Sequence, residues 1–224
     1  MFSFEPGTFL FEAWVARWQL LSGLGVTAQL SVLTITIGTL IGAVGGIALV
    51  YGPWPVRVLV RAYVDAVRGI PILVLILFSY YGLALLGIHI SPFAAGVVAL
   101  AGFCGAHMSE TIRGGIESIP VGQTEAAKAI GLRFFQRLRY VVMPQTMRRV
   151  VPPWVNTAVE MVKGTTLLSI IGVVELLLAT QQTIARNYLI LQFYFAAGML
   201  YVLVNLAISQ LGAVLERRTA HFHY

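Results

Sequence analysis

Charge is what this chain has least of. Only 11% of its 224 residues are Asp, Glu, Lys or Arg, against about a quarter in soluble domains, which excludes an ordinary water-solvated surface. Cysteine is nearly absent: Cys104 stands alone, so no intrachain disulfide can form, and it reads as a packing residue within an apolar run. No G-x-x-x-x-G-K-[ST] sequence occurs, so the loop that usually cradles nucleotide phosphates is missing. No nucleic-acid motif is present, and His89, His221 and His223 have no spacing suited to a metal. The first twenty residues carry Glu5 and Glu12 without a basic start or a short apolar core before a cleavage site, so they do not read as a cleavable signal peptide.

What remains is apolar. Hydrophobic residues make up 58% of the chain, mean hydropathy is +0.83, and the class implied is an all-helical integral membrane protein. Charge-free runs extend from Trp18 to Val56, Gly69 to Ser109 and Asn187 to Leu215, each at or above the ~20 residues a helix needs to cross the bilayer core. Gly87 to Pro92 supplies turn residues that divide the middle run. A further apolar stretch, Val150 to Leu178, is interrupted by Glu160, Lys163 and Glu175. Five crossings are expected, near Leu21 to Tyr51, Val58 to Leu86, Phe93 to Ile116, Val151 to Leu177 and Leu189 to Leu215. The expected organisation is an N-terminal interfacial segment over 1–20, a transmembrane domain over 21–216 with a loop at about 117–147, and a cytoplasmic tail over 217–224. Phe4, Phe9, Leu10, Trp14 and Trp18 suit the outer membrane interface.

Of the fifteen Lys and Arg, Arg57, Arg61, Arg68, Arg113, Lys128, Arg133, Arg137, Arg139, Arg148, Arg149, Arg217 and Arg218 fall on one side of these spans. Arg17 and Arg186 fall on the other, and Lys163 lies inside. The bias puts the 117–147 loop and the C-terminus in the cytoplasm and the N-terminus outside. The net charge of +6 then reflects topology and contact with anionic lipid headgroups rather than nucleic acid.

Gly38, Gly42 and Gly46, four residues apart in the first span, form a ribbon that lets a second helix approach closely. Pro71 removes a helix donor and clashes with the preceding turn, so a kink or late helix start is expected near it. Tyr80 and Tyr81 suit interfacial anchoring better than a pathway lining. His107 with Glu110, and Asn205 with Gln210, are expected to hydrogen-bond between helices. Between the third and fourth spans, Pro120 opens a short amphipathic helix. Its Glu125, Lys128 and Arg133 can face water while Ala126, Ala127, Ile130 and Phe134 form an apolar stripe. Gly131 can take the left-handed conformation that ends such a helix.

The loop carries Glu125-Ala126-Ala127, three residues, Gly131, nine residues, then Val141-Val142-Met143-Pro144. This resembles the E-A-A, G, I-x-L-P pattern of ATP-binding-cassette importer permeases, with Val and Met as conservative replacements. Around it, Glu110 to Ile116 resembles E-x-x-R-G-G-I, Pro144-Gln145 resembles L-P-Q, Arg68 to Pro71 resembles R-G-T-P, and Gly25 to Ser31 resembles the family's opening element. The resemblance covers about residues 20 to 216 and points to the polar amino-acid branch. It implies a type I importer fold in which Glu125, Ala126, Ala127, Gly131 and Pro144 form a coupling loop seated in an ATPase subunit. It also implies a second permease chain, identical or homologous, an extracytoplasmic solute-binding protein and an amino-acid substrate. ATP and magnesium would sit on the ATPase partner, with no cofactor on this chain, and the location would be the bacterial inner membrane.

Glu160 and Lys163 lie one helical turn apart and can pair, which would neutralise two charges that are costly inside a bilayer. Lys163-Gly164-Thr165-Thr166-Leu167 also resembles the K-D-T-S-L stretch that the family associates with its amino-acid pathway. On that resemblance Glu160, Lys163, Thr165 and Thr166 become pathway candidates, with Lys163 meeting a carboxylate. Gly164 departs from the acidic residue common there and weakens the case for a cationic substrate. Two other readings stand beside an importer: an ion-driven secondary transporter or channel, and a membrane anchor for an ATPase. An odd span count and no visible internal repeat disfavour the first.

Overall fold

The computed structural model describes residues 5–220; Phe4, His221 and His223 lie outside them. Helix accounts for 87% of the described residues, and no strand occurs among them. In chain order the helices are α1 (Phe9–Tyr51), α2 (Trp54–Gly69), α3 (Ile72–Leu77), α4 (Pro92–Glu117), α5 (Val121–Ala129), α6 (Phe134–Arg137), α7 (Met143–Gly164), α8 (Leu176–Asn187) and α9 (Ile190–Ala220). A π-helical turn, Phe78–Gly82, and a short turn, Leu83–Leu85, extend α3; another π turn, Leu138–Val142, joins α6 to α7; and a 3-10 segment, Thr165–Ile171, extends α7. Among the described residues α1, α4 and Ile190–Val214 of α9 are each long and apolar enough to cross a membrane. The count rises to five if the bent pairs Trp54–Gly69 with Ile72–Leu85, and Phe134–Ile171 with Leu176–Asn187, are each one span.

Three element boundaries differ from the sequence expectation. First, α1 starts at Phe9 and runs without a break through Leu21, so Phe9, Leu10, Trp14 and Trp18 belong to the same helix as the first span. Trp14 and Trp18 are exposed, and the Arg17 guanidinium lies 4.0 Å from the Trp14 ring centroid, an arrangement suited to a wet, apolar boundary. Second, the chain does more than kink at Pro71. Ile70 is extended at φ −99°, ψ 134°, and α3 starts afresh after Pro71, because proline disfavours helical backbone at the residue before it. Third, the expected span Val151 to Leu177 is interrupted. Its helix begins earlier, at Met143, and the 3-10 segment ends at Gly172, whose φ is +85°.

The chain forms two compact units. One comprises Met1–Ile35, Pro71–Leu100 and Glu160–Ala207. Its core gathers Leu30, Ile76, Leu100, Leu168, Ile171 and Val173, all buried, with Tyr80 packed against them. Tyr80 and Tyr81 meet edge to face at 4.9 Å, and Tyr81 is exposed. Phe9 meets Phe193 edge to face at 5.3 Å.

The other unit comprises Thr36–Ile70, Ala101–Val159 and Ile208–Tyr224. Here the glycine ribbon of α1 meets a matching four-residue series on α4: Gly38 faces Cys104, Gly42 faces Met108 and Gly46 faces Ile112. A Cβ built at Gly38 would lie 2.5 Å from the Cβ of Cys104, and one at Gly46 would lie 2.7 Å from that of Ile112. The ribbon therefore serves close packing, and Cys104 is buried within it. Tyr63 of α2 donates to the Gly102 carbonyl at 2.5 Å, and Trp154 of α7 donates its indole N–H to Thr39 of α1 at 2.9 Å.

Candidate functional site

The segment around Glu125 is a nine-residue helix with a defined stop. Pro120, at φ −55° and ψ 133°, is extended and precedes its first turn, where a missing donor does no harm. At the far end Gly131 has φ +81°. Its N–H donates to the Lys128 carbonyl at 2.9 Å, and Leu132 N–H donates to the Ala127 carbonyl at 3.1 Å. Those two bonds are the Schellman closure, which needs left-handed backbone at this position. Arg133 N–H then donates to the Gln136 Oε1 at 2.8 Å as α6 begins. Glu125, Ala126 and Lys128 are exposed and Ala127 is buried. Pro144 is partly buried in the first turn of α7. The apolar stripe is only partly covered: Ile130 is 76% and Phe134 39% exposed, and Phe135, next to the stripe, is 78% exposed. That leaves a thin helix with large apolar side chains, Ile130 and Phe135, mostly uncovered beside it.

Around Lys163 the expected ion pair does not form. Glu160 and Lys163 are both exposed, and no salt bridge joins them. An exposed pair gains little against the rotamer freedom of two long side chains, so each carries its charge outward. Thr165 is fully buried and donates to the Val162 carbonyl at 2.7 Å. Thr166, partly exposed, donates to the Lys163 carbonyl at 2.7 Å. Of the four pathway candidates, then, Glu160, Lys163 and Thr166 are accessible and Thr165 is enclosed.

The break after Gly172 is organised by Glu175, which has 0% exposure. Its carboxylate accepts from Leu177 N–H and Leu178 N–H, both at 2.9 Å, and from the Tyr201 hydroxyl of α9 at 2.7 Å. Leu176 N–H donates to Thr27 Oγ1 of α1 at 3.1 Å. The first three amides of α8, which have no partner within the helix, are thus all satisfied by side chains. A carboxylate at a helix N-terminus also meets the positive end of the helix dipole. Non-helical backbone at membrane depth is tolerated where protein groups satisfy it, and this knot does so from three elements.

A second polar group ties α2 to α4. Glu110 accepts from Arg61 at 3.1 Å and from Arg113 Nε at 3.1 Å, and Arg113 also pairs with Glu117. Glu110 thus makes the expected bond between helices, with Arg61 of α2 as its partner, and such charge-assisted bonds are strong. The His107 ring packs on Phe103, with centroids 4.4 Å apart.

Comparison with known proteins identifies the family and the fold. Residues 20–221 match the family model described as binding-protein-dependent transport system inner membrane component. The chain belongs to that family. It is 35% identical to the glutamine transport system permease protein GlnP of Escherichia coli, over 92% of this chain and 96% of that one. It is 34% identical to the L-cystine transport system permease protein TcyB of Bacillus subtilis, over 90% and 87% respectively. A solved amino acid ABC transporter with histidines superposes with a TM-score of 0.86 at 32% identity, covering 94% of this chain and 98% of its counterpart. The fold is also that of a methionine ABC transporter chain, with a TM-score of 0.75 at 21% identity. The protein is accordingly an inner-membrane permease component.

For this permease component, the Glu175 knot is what sequence reasoning missed. Glu175 reads in the sequence only as an interruption of an apolar stretch. The available signal was Gly172 three residues before it, a helix stop followed by a capping side chain. Thr27, which accepts from the Leu176 amide, lies within the family-like Gly25 to Ser31 element, although nothing in that pattern states its role.

Proposed function

We propose that this chain is one half of the transmembrane pathway of an ATP-driven importer for polar amino acids or closely related solutes. The observation that carries the reading is the family match, joined to a short exposed helix, Val121–Ala129, stopped at Gly131. On this reading the chain crosses the membrane five times, with its N-terminus outside and its C-terminus in the cytoplasm. Residues Glu125, Ala126, Ala127 and Gly131 form the coupling surface, and Pro144 sets the return of the chain into α7. The exposed Ile130 and Phe135 would be buried in a cleft of an ATPase subunit. A second permease chain completes the pathway, two ATPase chains bind and hydrolyse ATP, and an extracytoplasmic binding protein delivers the solute.

The mechanism follows from rigid coupling. Closure of the ATPases on nucleotide displaces the docked helix, and the displacement passes into α4 and α7, the elements that flank the loop. The pathway then alternates between outward and inward access, a shift between packed arrangements. Lys163 offers a cation to the carboxylate of an amino acid, while Glu160 and Thr166 offer polar contacts nearby. A solute with its own carboxylate fits this charge set. The relatives named for glutamine and cystine transport support the class.

The test is ATP hydrolysis by the reconstituted assembly of this chain, its ATPase, partner permease and binding protein, across a panel of amino acids. Stimulation by one chemical class establishes the importer and its substrates together. Uptake that follows an ion gradient without nucleotide, in an intact assembly, would refute the ATP-driven reading. Absence of stimulation by every amino acid would refute the substrate class.

A further inference from the structure

Between α1, α4 and α7, in the unit that holds the glycine ribbon, lies a cavity of about 310 Å³ lined throughout by apolar surface. Three of the chain's six methionines, Met108, Met143 and Met147, contribute to its wall. The few polar atoms in the wall are already engaged: the Trp154 indole donates to Thr39 Oγ1 at 2.9 Å, and Thr146 Oγ1 donates to the Val142 carbonyl at 2.8 Å. Nothing is left to hold a polar solute or an ordered water, and a purely apolar cavity stays dry. An empty one forfeits the dispersion contacts of its whole lining. At about 30 Å³ for a water-sized unit, the space takes about ten units of methylene size.

Two observations choose the occupant. Met147 in the wall is 43% exposed, and Ala43 and Ile47, also in the wall, are half-buried, so the space is reached from outside these helices, where a membrane would supply acyl chains as the solvent. Arg148 and Arg149 share a helical turn with Met147 and Val150, and Arg149 is exposed while donating to the Ser118 carbonyl. An apolar slot beside exposed guanidinium matches a molecule with an apolar tail and an anionic head, and basic pockets between membrane helices recognise such heads. Methionine's flexible thioether adapts to a mobile chain better than branched side chains do. We propose that this cavity is a binding site for one acyl chain of an anionic phospholipid, whose phosphate lies against Arg149.

The experiment places the full chain in vesicles of phosphatidylglycerol and phosphatidylcholine. Each lipid is supplied in turn with a trace of a photoreactive diazirine on its acyl chain, and labelled positions are read by peptide mass spectrometry. The expected result is phosphatidylglycerol label concentrated on Met108, Met143 and Met147 by about tenfold over Leu40 and Val44, a difference of 1.4 kcal/mol. Ala43→Phe fills the mouth and should remove that excess while Leu40 and Val44 label as before. Ile47→Phe, also on the rim, serves if the first variant does not fold. Arg149→Gln should abolish the preference for phosphatidylglycerol over phosphatidylcholine and leave chain labelling in place. Even labelling of the cavity and of Leu40, or excess label that survives both filling variants, would overturn the site. Equal labelling by both lipids in the unaltered chain would overturn the anionic head. A disulfide joining two copies through Met147→Cys would assign the cavity to a permease interface instead.

Discussion

Replacing Glu175 tests how the broken span is held. Glu175→Ala deletes two bonds from backbone amides at 2.9 Å and one from the Tyr201 hydroxyl at 2.7 Å. Loss of a helix N-cap alone costs about 0.5–2 kcal/mol, and each buried donor left unpaired adds about 1–3 kcal/mol. Relief from desolvating the carboxylate returns part of this, so the expected net loss is about 3–4 kcal/mol. Glu175→Gln keeps one good acceptor and turns its NH₂ toward a donor, for an expected loss of about 1–2 kcal/mol. Tyr201→Phe removes one charge-assisted bond and leaves both amides capped, also costing about 1–2 kcal/mol. The assay is unfolding of the purified chain in mixed micelles with rising SDS fraction, followed by loss of helical signal. A double-mutant cycle of Glu175→Gln with Tyr201→Phe should give a coupling above about 0.5 kcal/mol. If Glu175→Ala unfolds within about 0.5 kcal/mol of the unaltered chain, the carboxylate does not organise α8 and the account fails.

Three further outcomes are expected. Gly42→Leu drives a side chain into Met108 and should destabilise by about 1–3 kcal/mol or more through overpacking. Gly25→Ala, in the same helix with open space around it, should be neutral within about 0.5 kcal/mol; equal effects in SDS unfolding would contradict the packing of α1 on α4. Glu110→Gln removes the carboxylate that Arg61 and Arg113 share, leaving them Asp65 and Glu117 respectively, and should cost about 1–3 kcal/mol, partly restored by adding Arg61→Met; absence of rescue would separate the two residues. Glu125→Lys, on the exposed face of α5, and Gly131→Trp, strained at φ +81° by about 1–2 kcal/mol, should leave thermal unfolding of the membrane helices in place. Both should lower solute-stimulated ATP hydrolysis in the assembly, and unimpaired coupling by a well-inserted Gly131→Trp would count against docking through this helix.

Much of the fold is legible because its signals are local or periodic. A lack of charge over whole runs marks helices α1, α4 and α9, and turn chemistry at Pro71 and Gly131 marks breaks that depend on those residues' own backbones. The glycine ribbon is legible for the same reason: residues four apart share a helix face whatever lies opposite. Partners are less legible. That Gly38, Gly42 and Gly46 meet Cys104, Met108 and Ile112 depends on which helix returns to that face. That Glu110 bonds between helices is expected from the sequence, but its partner there, Arg61, comes from a helix some fifty positions away in the chain.

Glu175 and the pair Glu160 with Lys163 show why charge inside an apolar stretch is ambiguous in a sequence. All three interrupt the same expected span and all demand compensation, so residue identity alone cannot rank them. What separates them is whether the chain itself supplies partners. Glu175 receives two amides and a phenol because Gly172 stops the helix before it and exposes the first turn of α8 to its side chain. Glu160 and Lys163 sit on a continuing helix, whose backbone donors are already used, and their side chains point away from the chain's own core. An ionisable residue beside a helix stop thus has a structural use close at hand, and one in mid-helix must look outside its element. That contrast makes Glu175 part of the scaffold, whereas Glu160 and Lys163 find no salt-bridge partner within the described residues and stay exposed.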